Sequence, residues 1–297
     1  MIARTLCFAS PGKLSARLCQ LVWDGDDGVH KTIPIEDVAL VVLESDKITI
    51  TSSALCSLAE SNVAVVVSGK THIPVGQMTP YSANSTAAEA TAFQLKATDA
   101  VNGRIWRQIC RAKILNQGAL LTRLGKVGEG RLRTLADAVK NGDPANCEAQ
   151  AARIYFQMAA PSGFTRLRDG DWPNQALNYG YAVLRAAVAR ALVSSGLLCI
   201  KGIHHHNRYN TFALADDVME PYRPFVDQYI FGKVKPFDVP AKELTKEMRG
   251  RLLQLLTCDV NLGDKRRPLM VALSYTSASL VRYYKKESQE LMLPSFE

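Results

Sequence analysis

Three short segments of the chain carry side chains that could bind a metal ion or move a proton. In the first, Asp143 followed by Pro144 predicts a helix N-cap with proline at the first helical position. Glu148 then falls in the first two turns of that helix, beside the small residues Ala151 and Ala152. A carboxylate with small neighbours leaves space for a ligand or a metal. A surface glutamate near the positive end of a helix would have the same sequence.

The second segment holds three of the chain's five histidines in a row, His204, His205 and His206. Imidazole binds divalent metals and transfers protons near neutral pH. Three consecutive side chains cannot all face one way, so at most one or two of them can act in a single site. Each histidine taken alone is explained as simply by an exposed loop.

The third segment is acidic and contains Asp216, Asp217 and Glu220. Asp217 and Glu220 are three residues apart, which predicts that they share one helical face. Like charges this close repel each other unless a cation lies between them. Oxygen ligands with one imidazole suit Mg²⁺ or Mn²⁺ better than zinc. The alternative is a group of solvated acids.

The positive charge of the chain is concentrated in one part. The net charge is +8, yet residues 1–80 hold six basic and eight acidic residues, a charge of −2, which leaves +10 for the rest. In the most basic stretch, 104–133, three arginines are spaced three and four apart and predict one basic helical face: Arg104, Arg107 and Arg111. A solvated helix face is one explanation. Charge this uneven favours a polyanionic partner such as DNA.

Composition excludes several classes of protein. With 47% hydrophobic and 22% charged residues, the chain is predicted to be globular and not disordered or fibrous. Its apolar runs are far shorter than the ~20 residues that a membrane span needs. Seven scattered cysteines without a Cys-x-x-Cys pair argue against a disulfide framework and a cysteine zinc site. We expect a soluble cytoplasmic protein with no membrane partner.

The elements that must position these residues divide the chain in two. Short apolar runs separated by turn residues predict strands at 17–23, 29–35, 38–43, 47–51 and 63–67, with a helix at 53–60. Helical spacing predicts helices at 93–100, 105–124, 131–139, 144–158, 175–194, 212–231, 245–256 and 268–284. The predicted fold class is α+β, with a small β-sandwich-like N-terminal domain (1–80), a connector (81–91) and a larger all-α C-terminal domain (92–297).

Several segments together resemble the CRISPR-associated protein 1 family, the integrase that inserts spacers, and specifically its type II branch. The strongest are LNYGYAVL at 177–184, GIHH at 202–205 and LADDVMEP at 214–221. The similarity extends to DPANCEAQAA at 143–152, RTL at 4–6, HIPVG at 72–76, 106–117 and LMLPSF at 291–296, so it covers essentially the whole chain. The combination in this order is highly specific, whereas each piece alone is weak.

The resemblance implies a site and a reaction. By this resemblance the family's metal site falls on Glu148, His205 and Glu220, and an accessory acid falls on Asp217. His205 is selected because family members with one histidine place it at the second position after Gly-Ile. These residues would hold Mg²⁺ or Mn²⁺. The 3′-hydroxyl of a short prespacer duplex would then attack a phosphodiester of the CRISPR repeat, a transesterification.

The resemblance also implies partners. The family's active unit is a homodimer, two of which flank a dimer of CRISPR-associated protein 2, and type II systems can recruit further adaptation proteins. We expect the β-rich domain to form the dimer. The arginine face would bind phosphates of double-stranded DNA without reading bases.

Two other classes of function stay open from the sequence. One is a metal-dependent nuclease that cuts branched or single-stranded DNA without joining it. The other is a basic, non-catalytic architectural DNA-binding protein whose acids are merely solvated.

Overall fold

The computed structural model describes residues 4–70, 72–80, 84–167, 170, 172–233 and 244–296, in two compact units, Met1–Ser85 and Thr86–Glu297. The division falls inside the predicted connector, of which 81–83 lie outside the described residues. A helix begins at Ala87, so the prediction of a connector is wrong for 87–91. Alanine has the highest helix propensity of all residues, and this alanine-rich segment forms a helix without an apolar period.

In the described part of the first unit, two four-stranded sheets and one helix form the fold. One sheet has the order β1-β5-β7-β8, with β1, β5 and β7 parallel, and the other has the order β4-β3-β2-β6. The strands are β1 (Arg4–Phe8), β2 (Gly12–Arg17), β3 (Gln20–Gly25), β4 (His30–Pro34), β5 (Val38–Leu43), β6 (Ile48–Ile50), β7 (Ala64–Ser68) and β8 (Pro74–Met78), and the helix is α1 (Ser52–Glu60).

The two sheets share one hydrophobic core, which is the predicted sandwich-like arrangement. All six residues of β5 are buried, as expected for the central strand of a sheet covered on both faces. The core joins Val41 of β5 to Leu14 of β2 and Trp23 of β3, and Leu58 of α1 packs into the same cluster.

The predicted strand at 17–23 is wrong because a turn divides it. Leu18 and Cys19 both have positive φ, 49° and 58°, and join β2 to β3 as a two-residue hairpin. Asn and Gly usually occupy such a turn, and their absence concealed it in the sequence. Leu18 is consequently 84% exposed.

The second unit is mainly helical, and the fold class predicted from the sequence is confirmed. Its helices are α2 (Ala87–Leu95), α3 (Asp99–Arg123), α4 (Glu129–Ala138), α5 (Cys147–Ala159), α6 (Asn174–Ser194), α7 (Ala213–Val218), α8 (Arg223–Gln228), α9 (Lys246–Leu253) and α10 (Leu269–Tyr284). A small sheet that was not predicted from the sequence accompanies them, in the order β10-β9-β11: β9 (Asp259–Leu262), β10 (Lys265–Pro268) and β11 (Pro294–Ser295).

The predicted helix at 212–231 is interrupted. α7 ends at Val218, a 3₁₀ turn covers Glu220–Tyr222, and α8 begins at Arg223. Prolines at 221 and 224 lack the N–H that a continuous helix needs. The interruption places Glu220 at a junction between two short helices.

No helix in the described part of the chain is long and apolar enough to cross a membrane.

Candidate functional site

Helix α3 presents two different faces. Arg104, Arg107 and Arg111 are all exposed, as their spacing predicts. The opposite face is buried and carries Trp106 and Lys113. Lys113 lies nine residues after Arg104, and at about 100° per residue this places it about 180° around the helix.

Glu148 lies in the first turn of α5, as predicted, but the cap differs from the prediction. The helix begins at Cys147, and Asn146, with φ of 53°, occupies the N-cap position in place of Asp143. Asp143 still caps the helix, because its two carboxylate oxygens accept hydrogen bonds from the backbone N–H groups of Cys147 and Glu148, each at 2.9 Å. This pair of hydrogen bonds fixes the start of the helix that carries Glu148.

Lys113 joins Glu148 to Glu220. Its ammonium donates a hydrogen bond to Glu148 Oε1 and forms an ion pair with Glu220 Oε2. Its side chain is only 9% exposed, against 25% for Glu148 and 8% for Glu220. The guanidinium of Arg223 lies 2.8 Å from the other oxygen, Glu220 Oε1. Two carboxylates from distant parts of the chain therefore converge on one buried cation.

The charges in this cluster stabilise one another. Burial alone would raise the pKa of Glu220, but Arg223 and Lys113 more than offset it and the pKa is lowered. Burial alone would lower the pKa of Lys113, but Glu220 and Glu148 offset it and the pKa is raised. Glu220 and Lys113 are consequently both ionised at neutral pH.

Asn116 fixes the Glu220 turn to α3. Its side-chain amide is buried and donates to the carbonyl of Pro221 at 2.8 Å and to that of Pro294 at 2.9 Å. Asn116 lies one turn beyond Lys113 on α3. The same helix thus positions both the carboxylate at 220 and the cation that contacts it.

A buried acid lies further along α8. Asp227 accepts hydrogen bonds from the hydroxyls of Tyr155, at 2.8 Å, and Tyr181, at 2.6 Å. Burial raises the pKa of Asp227 to about 6, although both hydroxyls act to lower it. The guanidinium of Arg223 lies over the ring of Tyr181, 4.5 Å from its centroid, and so links this acid to the Glu220 cluster.

Asp217 anchors the histidine segment. It is fully buried and accepts the backbone N–H groups of Ile203, at 2.6 Å, and His204, at 2.9 Å. It also bonds Nδ1 of the His205 ring. A side chain at Gly202 would not fit, because its Cβ would clash with the carbonyl oxygen of His205.

The three histidines have different surroundings. The ring of His204 lies parallel to that of Trp106, with centroids 4.3 Å apart, and burial lowers its pKa. The bond to Asp217 raises the pKa of His205 and leaves Nε2 as the available ring nitrogen. Metal-binding histidines usually have this arrangement, with the second nitrogen held by a carboxylate. His206 is exposed.

Asp216, Asp217 and Glu220, which the sequence predicts to repel one another, each contact a different partner. Asp216 pairs with Arg185 at 2.7 Å and accepts the side-chain amide of Asn210 at 2.8 Å. Asp217 faces the histidine segment, and Glu220 faces Lys113. Asp217 and Glu220 therefore have different partners, and the cation that contacts Glu220 is Lys113.

The side chains of Glu148, Glu220 and His205 are of the types that bind a divalent metal. Two carboxylates that share a cation, with an imidazole whose other nitrogen is held by an acid, have the chemistry that Mg²⁺ or Mn²⁺ prefers. Within the described ranges, however, no three His, Cys, Asp or Glu side chains form a group that could hold a metal ion. Lys113 contacts both Glu148 and Glu220. The common cation of the two carboxylates is thus a lysine ammonium.

The arginine face lines a cleft. Arg104, Arg107 and Arg111 border a cavity of about 550 Å³ together with Tyr283 and Gln289. Arg107 donates to the carbonyl of Val139 at 3.1 Å, and Arg111 pairs with Asp137 at 3.2 Å. The three arginines predicted to share a face therefore share a cleft, where one neighbouring acid partly offsets their charge.

Comparison with known proteins identifies the family. The sequence model of the family described as "CRISPR associated protein Cas1" matches residues 6–255. A "CRISPR-associated endonuclease Cas1" of Neisseria meningitidis is 35% identical over 296 residues, which cover 99% of this chain and 96% of that protein. The chain is a member of the Cas1 family. This confirms the resemblance drawn from its motifs.

Solved structures share the fold of this Cas1 family member. A "Casposase bound to integration product" superposes with a TM-score of 0.84 at 19% identity, covering 100% of this chain and 95% of that one. A "Cas6-RT-Cas1--Cas2 complex" superposes at 0.75 and 23% identity, covering 100% of this chain and 36% of that one. A Cas1 protein from Thermotoga maritima superposes at 0.73 and 16% identity, covering 99% and 100%.

Three residues of the site in this Cas1 family member were not predicted from the sequence: Lys113, Arg223 and Asn116. In the sequence Lys113 lies within the basic stretch 104–133. Its position on α3 carried a signal, because it lies out of phase with the three arginines and in phase with the buried Trp106. A lysine on a buried helical face indicates a paired charge.

Proposed function

We propose that the chain is a metal-dependent DNA endonuclease and integrase of the type II branch, which inserts prespacer DNA into a CRISPR repeat by 3′-hydroxyl transesterification. The observation that carries this proposal is the convergence of Glu148 and Glu220 on one cation. They lie 72 residues apart in sequence, so no local structural rule brings them together. Family membership and the casposase fold support the same reaction.

In this proposal Glu148, Glu220 and His205 would hold Mg²⁺ or Mn²⁺. When bound, the metal would polarise the scissile phosphate and favour deprotonation of the attacking hydroxyl. His205 would either ligate through Nε2 or carry the proton of the hydroxyl. Asp217 orients the ring in both cases through its bond to Nδ1. It is therefore proposed as a positioning acid.

The charge of the cluster supports an anionic substrate. Glu148 and Glu220 contribute −2, and Lys113 and Arg223 contribute +2, so these four side chains are neutral together. Addition of a divalent ion would leave an excess of positive charge. Such a site attracts a phosphodiester, whereas bare acids would repel it.

The cleft of Arg104, Arg107 and Arg111 is proposed to bind DNA phosphates. Arginine is suited to this contact because its planar guanidinium bonds phosphate oxygens in pairs. The cleft would set the position of the duplex without selecting a sequence.

The proposed partners are double-stranded DNA, a second copy of the chain and a dimer of CRISPR-associated protein 2. The fold match to a "Cas6-RT-Cas1--Cas2 complex" supports the last of these. Dimerisation through the first unit and recruitment of other type II adaptation proteins are further parts of the proposal.

One experiment tests the proposal against its alternatives. The purified chain, CRISPR-associated protein 2 from the same locus, Mn²⁺ and a labelled prespacer are incubated with a supercoiled plasmid that carries the repeat. We expect joined product, with no joining by Glu148→Gln although that variant still binds DNA. Cleavage without joining would indicate the nuclease alternative. Joining that persists in Glu148→Gln would overturn the assigned site.

A further inference from the structure

Lys113 is placed unlike a lysine that binds DNA. It lies in the basic stretch of the sequence, but on the buried face of α3 and opposite the arginine cleft. Only 9% of its side chain is exposed, and its ammonium contacts Glu148 and Glu220, which are the two proposed carboxylate ligands of the metal. A phosphate at the arginine cleft cannot be reached from this position.

Burial of an ammonium is costly unless anions compensate for it, and here two carboxylates do so. The two carboxylates in turn need a cation, because Glu148 and Glu220 contact the same ammonium and would repel each other without it. Arg223 contacts Glu220 through Oε1, whereas Lys113 pairs with Oε2. Among the described residues, Lys113 is thus the cation that contacts both carboxylates.

We propose that Lys113 is an internal competitor of the divalent metal, holding Glu148 and Glu220 together in the metal-free protein and lowering the affinity of the site for the ion. This inference rests on the proposed metal dependence. A metal ion bound to these carboxylates would meet the repulsion of the neighbouring ammonium and would compete with it for carboxylate lone pairs, so contact of Lys113 with both carboxylates opposes metal binding. Lys113 is a positioning residue, since it acts through the two glutamates.

The test is Mn²⁺ binding to the full chain, measured by calorimetry and by electron paramagnetic resonance of the free ion. Lys113→Met keeps an unbranched side chain out to Cε and removes the ammonium group. We expect the Mn²⁺ dissociation constant to fall at least about tenfold, because unit charges a few ångströms apart still interact appreciably at an effective dielectric constant near 20. In the presence of a chelator the variant should melt at a lower temperature than wild type, and Mn²⁺ should raise its melting temperature by more.

A matched control is Lys126→Met. Lys126 is exposed just beyond the end of α3, so the same chemical change is made away from the carboxylates. We expect its Mn²⁺ affinity to equal that of wild type. Lys113→Gln provides a second variant that retains hydrogen-bond donors for the glutamates, and we expect it to bind Mn²⁺ more tightly as well.

The outcomes separate this inference from the proposed function. Wild type that binds no Mn²⁺, or Glu148→Gln that binds it unchanged, would remove the proposed metal centre. If wild type binds Mn²⁺ and a folded Lys113→Met or Lys113→Gln variant binds it equally or more weakly, the proposed competition is refuted. The proposed metal centre is not refuted by that result. A merely structural lysine would give weaker binding on removal.

Discussion

The difference between His204 and His205 gives the sharpest test of the site. In the structure, Nδ1 of His205 bonds the fully buried Asp217, whereas His204 stacks on Trp106. His205→Ala should therefore abolish strand joining, and His204→Ala should leave most of it.

The expected magnitudes follow from these contacts. His205→Ala removes one hydrogen bond to Asp217, which retains its backbone N–H donors, so the free energy of unfolding should fall by about 1–3 kcal/mol. Joining should fall by roughly 10²–10⁴-fold, the usual contribution of a group that transfers a proton in the transition state. His204→Ala removes ring stacking worth about 0.5–1.5 kcal/mol. Its joining rate should stay within a few-fold of wild type.

The assay is a strand-joining gel with labelled prespacer and supercoiled repeat plasmid, run beside thermal melts of both variants. The melts ensure that loss of joining is not loss of folding. Chelation of the wild type should stop joining, and Mn²⁺ should restore it. If His204→Ala is inactive and His205→Ala still joins, the assignment is wrong by one residue. If both variants join normally, the reacting site lies elsewhere.

Three further predictions concern binding, assembly and pH. Changing Arg104, Arg107 and Arg111 together to Ala should weaken binding to unrelated DNA duplexes equally. The slope of log affinity against log salt concentration should fall by roughly 0.9 for each phosphate that the variant no longer binds. An unchanged slope in a salt titration would show that the cleft does not touch DNA. A fragment of residues 86–297 should sediment as a monomer if the first unit forms the dimer, and a stable dimer of that fragment would refute this. The pKa of Asp227 is about 6 in the folded protein, against an ordinary value of 3.8. Between those pH values the folded protein binds more protons at this group than the unfolded chain does, so Asp227 makes the free energy of unfolding fall as pH rises. Asp227→Asn should remove that component, and melting curves that respond to pH as wild type does would contradict it.

Local sequence signals predicted the elements well where one rule dominated. The strand predicted at 38–43 is β5 itself, since a continuous run of branched apolar residues suits a central strand. Prediction failed where residues that are unusual for a structure adopt it, as Leu18 and Cys19 do in the hairpin turn. It failed again at 212–231, where two prolines divided a sequence with helical spacing.

The site was predicted in parts, and its electrostatics were not. Motifs singled out Glu148, His205 and Glu220, and the spacing of the acids predicted a cation between Asp217 and Glu220, whereas the cation that contacts Glu220 joins it to Glu148. Spacing along one segment could not show that this cation is Lys113, because the contact joins residues 35 and 107 positions apart. Contacts of that kind depend on how α3 packs against α5 and the Glu220 turn.

Helix α3 links the two halves of the proposed reaction. Its exposed face carries the arginines of the cleft, and its buried face carries Lys113, so one helix would set the position of the bound DNA phosphates relative to the reacting phosphate in the proposed reaction. Because the faces are about 180° apart on the helix, a change on one should not disturb the other directly. Arginine variants should therefore bind DNA more weakly while their Mn²⁺ affinity is unchanged, and Lys113 variants should alter Mn²⁺ affinity while the salt slope of DNA binding is unchanged. These independent effects would not be expected if the basic stretch acted as a single electrostatic patch. Removal of any one charge would then change both the DNA affinity and the Mn²⁺ affinity.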